Sequence, residues 1–142
     1  MKKIYSKVEP KLLLHVVNLQ STDTSSPRVN ITPEDEYLQV AMLRIENNKT
    51  FRPHKHIECH RHTDITQESW VVVKGKVKAF LYDIDDTVIA EPILGPGDCS
   101  ITFRGGHTYQ SLSEDTLVYE YKTGPYLGIE KDKEMIDDTG KV

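Results

Sequence analysis

The chain has 142 residues, 37% of them hydrophobic and 28% charged, and a formal net charge of −4. This length is enough for one domain with its own core, so we expect a single domain over residues 1–142 with its core at about 37–122. The acidic balance and the lack of a basic stripe argue against a nucleic-acid partner, and no apolar run approaches the length that spans a membrane.

The N-terminal stretch, MKKIYSKVEPKLLLHVVNLQ, has two lysines but only a short apolar run, LLLHVV. No small-residue cleavage site follows this run, so it does not resemble a signal peptide. We expect a strand there and a cytoplasmic protein. We assign no role to His15, because an isolated histidine is more often a core or surface residue than a ligand.

The next segments connect this strand to the histidine-rich part of the chain. Residues 20–36, QSTDTSSPRVNITPEDE, are rich in turn-forming residues and predict a surface connection. Residues 37–45, YLQVAMLRI, alternate imperfectly and predict a strand buried on both sides. The sequence ENNKT then predicts a turn into a strand that carries His54 and His56.

The second half of the chain reads as short strands separated by turns. Residues 70–82 predict two strands that meet at Gly75, DIDDT predicts a hairpin turn, and VIAEPIL predicts a returning strand with Pro92 at an edge or bulge. CSITF, HTYQSLS and LVYEYK follow as further strands. Without any helical period, this pattern predicts an antiparallel sandwich or barrel. We expect apolar residues of the C-terminal tail to pack on the barrel or on a second subunit; they are Tyr126, Leu127, Ile129 and Ile136.

Four of the six histidines lie between positions 54 and 62. In a strand, His54 and His56 would share one face. Glu68 opens the buried run SWVVVK, and His107 follows the turn FRGG. Three imidazoles and one carboxylate suit a divalent iron, manganese, nickel or zinc ion. We therefore expect His54, His56, Glu68 and His107 to bind a metal, with Glu68 and His107 also catalytic.

Other assignments of these residues stay open. His60 and His62 compete with the first pair as ligands, since His62 lies closer to Glu68; otherwise they lie on a loop at the mouth of the site. As an alternative to metal binding, Glu68 could be a general base or a salt-bridge partner. The histidines could likewise act as an acid–base pair without a metal. Cys59 is a further thiolate candidate within a zinc-knot-like run. With Cys99 it forms no C-x-x-C pair, so a disulfide framework is not expected.

Strand parity adds candidates for a substrate pocket. If Glu68 points inward then so do Trp70 and Val72, and if His107 does then so do Tyr109 and Ser111. Trp70 and Tyr109 could line a pocket or serve as core aromatics. Arg104, before the Gly-Gly turn, could hold an anionic substrate or be a solvated turn residue.

Two motifs in this region resemble those of the cupin family. Asn48, five residues and then His54 and His56 match the front half of the first motif, with asparagine, which also adopts left-handed conformations, in place of glycine. Glu68, six residues and Gly75 match its back half, after a gap longer than is usual in the family. Residues 97–107, GDCSITFRGGH, resemble the second motif without its usual proline and closing asparagine. The resemblance covers residues 38–122.

The resemblance implies an all-β, antiparallel fold of the cupin type, a double-stranded β-helix or jelly-roll barrel with its ligands inside one mouth. It implies a small metal-dependent enzyme, of oxygenase or isomerase type, acting on a small polar molecule such as a sugar or an organic acid. Two alternatives are a metal-free isomerase or epimerase, similar to cupins of bacterial surface-sugar biosynthesis, and a non-catalytic binding protein. Exposed strand edges of such a domain also favour a homodimer.

Overall fold

A computed structural model describes residues 1–20 and 26–137 of the chain. In these ranges the fold is all-β and antiparallel, with one short helix. The elements are β1 (Lys2–Tyr5), β2 (Leu13–Asn18), β3 (Arg28–Asn30), β4 (Ala41–Leu43), β5 (Glu68–Lys74), β6 (Val77–Tyr82), β7 (Val88–Ala90), β8 (Ile93–Leu94), β9 (Cys99–Thr102), β10 (His107–Ser111), β11 (Leu117–Lys122) and α1 (Ile129–Asp132). Among the described residues no helix is both long and apolar enough to cross a membrane.

The strands form two main sheets and a hairpin. One sheet has five strands in the order β1-β2-β9-β5-β11. The other has β6 at its centre, paired with β10 on one side and with β7 and β8 on the other. The short strands β3 and β4 pair only with each other.

The main core lies between the two sheets. Val17 and Val72 of the five-stranded sheet pack in one cluster with Ala79 and Leu81 of β6 and Leu94 of β8. Because side chains of a strand alternate between its faces, these contacts define the inner face of each sheet. The architecture is therefore consistent with a β-sandwich.

The outer face of the five-stranded sheet is covered by the hairpin region. Val16, Ile101 and Phe103 pack there with Ile31, and Met42 of β4 lies against the same cluster. Val16 and Val17 are consecutive and belong to different clusters. β2 is thus buried on both faces, which explains why its run is apolar without alternation.

Most predicted strands of the second half are confirmed. β5 and β6 meet at Gly75, which has φ +80 and leaves no room for a side chain, since a Cβ there would lie 2.7 Å from Thr116 Oγ1. The DIDDT turn closes with a hydrogen bond from the Asp83 N–H to the Thr87 carbonyl. Pro92 separates β7 from β8, and both of these strands pair with β6.

Three expectations about elements are wrong in part. The strand predicted over residues 37–45 is only β4, and it is not buried on both sides because it pairs with β3 alone on the outside of the sheet. The predicted connection over 20–36 contains β3, while residues 21–25 lie outside the described part of the chain. The helix α1 was not expected, because four residues are too few to show a helical period.

The C-terminal tail returns to the end of the sandwich near Gly106. Ile136 is half-buried, and a Cβ built on Gly106 would meet Ile136 Cδ1 at 2.2 Å, so the two residues are in direct contact. Asp132 accepts hydrogen bonds from Thr66 Oγ1 at 2.7 Å and from Lys122 Nζ at 3.3 Å. The expectation that Ile136 packs on the main body is confirmed, whereas Tyr126, Leu127 and Ile129 are exposed.

Candidate functional site

A row of polar side chains crosses the inner face of the five-stranded sheet at one end. His15 lies opposite Thr102, and Thr102 lies opposite Glu68 on its other side. Glu68 in turn lies opposite Lys122. Residues directly opposite in an antiparallel sheet project to the same face. Val72 of β5 faces the core, and Glu68 lies four positions before it on the same strand, so both side chains point to the same face. The polar row therefore also faces inward.

His107 completes this row from the other sheet. Its Nε2 lies 3.0 Å from Glu68 Oε1, so this hydrogen bond bridges β5 and β10. The Glu68 side chain is buried, and that of His107 is 23% exposed. The structure therefore brings together two of the four residues predicted as metal ligands, at the end of the sandwich.

Trp70 and Tyr109 form a second contact between the same two strands. Their ring centroids are 3.9 Å apart and their planes differ by 10°. The Trp70 Nε1–H donates to Glu68 Oε1 at 2.9 Å, and the Tyr109 hydroxyl lies 2.8 Å from Ser100 Oγ. The parity expectation that both rings face inward is confirmed. These contacts support the Glu68–His107 pair from the core side.

The pKa of Glu68 lies below its ordinary value. Burial alone would raise this pKa, but the hydrogen bond and positive charge of His107, the Trp70 hydrogen bond and the charge of Lys133 outweigh burial. An ionised carboxylate only accepts hydrogen bonds. His107 Nε2 must then carry the proton that it shares with Glu68.

The second ring nitrogen of His107 is left without a protein partner. Nδ1 is buried and makes no hydrogen bond within the described residues. A buried polar atom normally has a partner, and an exception marks a candidate site for function. In the form of the ring that carries a single proton, on Nε2, Nδ1 offers a lone pair to a ligand.

His15 is fully buried behind the pair and has both nitrogens occupied. Nε2 lies 2.8 Å from the Tyr82 carbonyl, and Nδ1 lies 3.0 Å from Thr102 Oγ1. Because a carbonyl only accepts, Nε2 carries the proton and Nδ1 accepts from the threonine. Burial lowers the pKa of His15 to about 4, helped by the nearby His107. His15 is thus a neutral residue that supports the polar row.

A cavity of about 920 Å³ opens next to the pair. Glu68, Thr102, Arg104 and His107 line it on the sandwich side, and residues 132–136 of the tail line the other side. Its volume lies at the upper end of the range for small-molecule sites, roughly 300–1,000 Å³. The Trp70 and Tyr109 rings do not line this cavity, so they act behind the site.

Arg104 reaches the cavity but is already paired. Its Nη1 donates to Glu36 Oε1 at 2.8 Å, and the other Glu36 oxygen accepts from Gln67 Nε2 at 2.6 Å. Arg104 therefore links the turn after β9 to the segment before β4. Its predicted role in holding an anionic substrate stays a prediction.

The strand predicted for His54 and His56 is wrong. Residues 44–67 contain no strand, and every residue from 45 to 62 is exposed, including Ile57 at 83%. A strand in a sandwich needs one face buried. The apolar residues beside His54 and His56, Phe51 and Ile57, are 60% and 83% exposed, so neither face of the run is buried. His54, His56, Cys59, His60 and His62 all lie on this exposed segment, while Cys99 is buried and both cysteines are free.

The predicted metal ligands do not form a metal centre as placed here. No three His, Cys, Asp or Glu side chains within residues 1–20 and 26–137 are arranged to hold an ion. Glu68 and His107 could supply two metal ligands, but Glu68 Oε1 and His107 Nε2 are hydrogen-bonded to each other. A four-coordinate site needs two more. Metal binding by His54, His56, Glu68 and His107 stays a prediction.

Sequence reasoning missed the supporting residues His15, Thr102 and Asp132. A histidine interrupting the apolar run LLLHVV was the available signal for His15, and it is equally typical of an ordinary core histidine. Asp132 lies outside the motifs and reaches the site only through the fold of the tail.

Comparisons with protein-family models, with curated proteins and with solved structures find no match to this chain.

Proposed function

We propose that the protein is a cupin-type jelly-roll enzyme that transfers a proton within a small polar substrate, with Glu68 and His107 as its catalytic pair. The observation that carries this proposal is the 3.0 Å contact between Glu68 Oε1 and His107 Nε2 at the wall of the cavity. A buried carboxylate that orients an imidazole is a common arrangement for general acid–base catalysis.

Backbone geometry supports the cupin-type fold. Asn48 stands where the first cupin motif has glycine, and its φ of 60 is in the left-handed region. Gly75 and Gly97, the glycines of the two motifs, also have positive φ values. Glu68 opens β5 and His107 opens β10, so each motif contributes one residue of the pair from a strand end.

The chemistry that we propose needs only these two side chains. The His107 side chain is 23% exposed but its Nδ1 is buried, so in this proposal the ring shifts until Nδ1 reaches the cavity. Nδ1 then takes the proton from a hydroxyl-bearing substrate carbon next to a carbonyl, and the electrons of that C–H bond form an enolate. Glu68 stabilises the imidazolium through Nε2. The hydroxyl proton of that carbon passes to the former carbonyl oxygen, and the imidazolium returns the carbon-bound proton to the former carbonyl carbon. The hydroxyl and carbonyl groups thereby exchange positions, and no atoms are gained or lost. Such a base contributes about 10²–10⁴-fold to the rate.

A hydroxycarbonyl compound such as a keto-sugar fits this chemistry. The same cavity would also suit a non-catalytic ligand-binding protein, and among the residues that the structure describes no contact favours that alternative over catalysis. An oxygenase reaction would need the metal ligands to converge, and we therefore rank it below proton transfer.

The test is hydrogen exchange from heavy water into candidate substrates. Chelator-treated, tag-free protein is incubated with a panel of keto-sugars, free and nucleotide-linked, and of hydroxy-acids. Deuterium gained at carbon is then followed by NMR. We expect exchange with wild type and a loss of at least about 100-fold in His107→Gln and in Glu68→Gln.

The matched control is Gln110→Ala, an exposed residue of the same strand as His107, and it should exchange like wild type. Exchange that persists in His107→Gln would contradict the proposal. So would exchange that appears only after iron or another ion is added back, because the metal-dependent enzyme would then be the better account.

We also propose a homodimer. β11 is an edge strand of the five-stranded sheet, and Leu117, Tyr119 and Tyr121 on it are exposed. Covering an exposed apolar edge is a common reason for pairing. Sedimentation of wild type and of Tyr119→Glu tests this proposal. We expect a dimer for wild type and weaker association for Tyr119→Glu, and a monomeric wild type would contradict the proposal.

A further inference from the structure

We propose that the segment from His54 to His62 binds one zinc-class ion on its own, outside the cavity and independently of Glu68 and His107. The ligands are drawn from the two His-x-His pairs, His54 with His56 and His60 with His62, together with the Cys59 thiolate. This inference does not rest on the proposed function.

The donor atoms of this segment are almost uncommitted. Its side chains are exposed, and His56 and His60 make no hydrogen bond through their rings in the described part of the chain. His54 Nδ1 makes a long contact of 3.3 Å with the Arg52 carbonyl, and His62 Nε2 pairs with Asp64 on the surface. No core contact has to break for these donors to reach an ion.

His54 and His56 already stand at the spacing of two ligands. Their ring centroids are 5.4 Å apart. Zinc–nitrogen bonds of about 2.1 Å at tetrahedral angles place the centroids of two bound imidazoles about 5 Å apart. The spacing of the first pair is therefore compatible with a shared ion, and the second pair and the thiolate follow within six residues of the chain.

The donor set selects the class of ion. Imidazole and thiolate together favour zinc and its neighbours over magnesium or calcium, which prefer oxygen ligands. A site assembled from one exposed segment without secondary structure can form as the ion binds, because metal binding and local folding are coupled.

The segment leads directly into the wall of the cavity. Ile65 and Thr66 line the cavity and follow His62 by three and four residues. Thr66 also bonds to Asp132 of the tail. An ion held by residues 54–62 would therefore have a structural role, since it orders the chain that enters this wall.

The experiment is zinc titration of full-length, tag-free, chelator-stripped protein by calorimetry, with cobalt absorption as a second readout. We expect one zinc per chain in wild type. The double change His54→Ala with His60→Ala should weaken binding by more than about 100-fold, beyond the loss seen for residues that only support a ligand. Cys59→Ser should remove the thiolate-to-cobalt charge-transfer band.

The variants Glu68→Gln and His107→Gln should bind zinc within twofold of wild type, and far-ultraviolet circular dichroism of all metal-free variants should match. Zinc binding lost in Glu68→Gln or His107→Gln would overturn the inference, because the ion would then lie in the cavity. A wild type that binds no zinc, or a cobalt band that survives Cys59→Ser, would overturn it as well. None of these results depends on turnover by the Glu68–His107 pair.

Discussion

Trp70 and Tyr109 stack with ring centroids 3.9 Å apart, directly behind the hydrogen bond between Glu68 and His107. Each ring lies two residues after its polar partner on the same strand. The two sheets are therefore joined by two consecutive contacts, one polar at the cavity and one aromatic toward the core. The aromatic contact fixes the separation at which the polar pair can form.

Trp70→Phe should weaken the site without disrupting the stack. The change removes the hydrogen bond from Nε1 to Glu68, and a bond to a charged group contributes about 1.5–3 kcal/mol. We expect kcat/KM to fall about 10–100-fold. Because the carboxylate loses a donor, the pKa of Glu68 should rise, and the acidic limb of the pH–rate profile should move to higher pH. An unchanged profile would show that Trp70 does not act through Glu68.

Tyr109 gives a graded test of the aromatic contact by chemical denaturation. Tyr109→Phe keeps the ring but leaves buried Ser100 without its partner, which should cost about 1 kcal/mol. Tyr109→Ala removes the stack and should cost about 3 kcal/mol or more. If the two variants were equally stable, the ring would contribute little to holding the sheets together.

His15 predicts a pH dependence of stability. Its pKa is about 4 in the folded protein and 6.5 when unperturbed. Between these two pKa values His15 binds a proton in the unfolded chain but not in the folded chain. The free energy of unfolding is therefore highest above pH 6.5 and falls as the pH drops toward 4. The loss between pH 7 and pH 5 should be about 2 kcal/mol.

Urea unfolding of wild type and His15→Gln at pH 7 and pH 5 measures this effect. Glutamine keeps a donor for the Tyr82 carbonyl but does not titrate, so the variant should lose most of the difference between the two pH values. The carboxyl of Glu68 has a lowered pKa, below 4.5, and its contribution is lost only at more acidic pH. Equal pH dependence in both proteins would exclude His15 as the source.

Gly105 is the backbone position on which the site most depends. It has φ +76, and a Cβ there would lie 2.4 Å from the Tyr82 carbonyl oxygen that His15 contacts. Gly105→Ala should destabilise the protein by about 2 kcal/mol or more. Gly95→Ala is the control, because its nearest contact would be 3.7 Å away and its φ is ordinary. Equal thermal stability of the two variants would contradict this reading.

The sequence predicts the strands well where alternation and turn residues agree, as on either side of Gly75. It also predicts that Glu68 and Trp70 share a face, as do His107 and Tyr109, because parity is a local property. That the two pairs meet depends on how β5 and β10 are assigned to different sheets, and no local pattern encodes this. The shared face of His54 and His56 depended on a strand that does not form. The apolar residues beside them, Phe51 and Ile57, stay exposed and do not pack on either sheet.

Nitrogen NMR of the His107 ring is the most direct test of the Glu68–His107 pair. With uniformly labelled protein, we expect Nε2 protonated and Nδ1 unprotonated in the neutral ring, and a shift of this tautomer balance in Glu68→Gln. A competent ligand should perturb Nδ1 first. A proton on Nδ1 in wild type, or a tautomer that is unaffected by Glu68→Gln, would contradict the proposed catalytic pair.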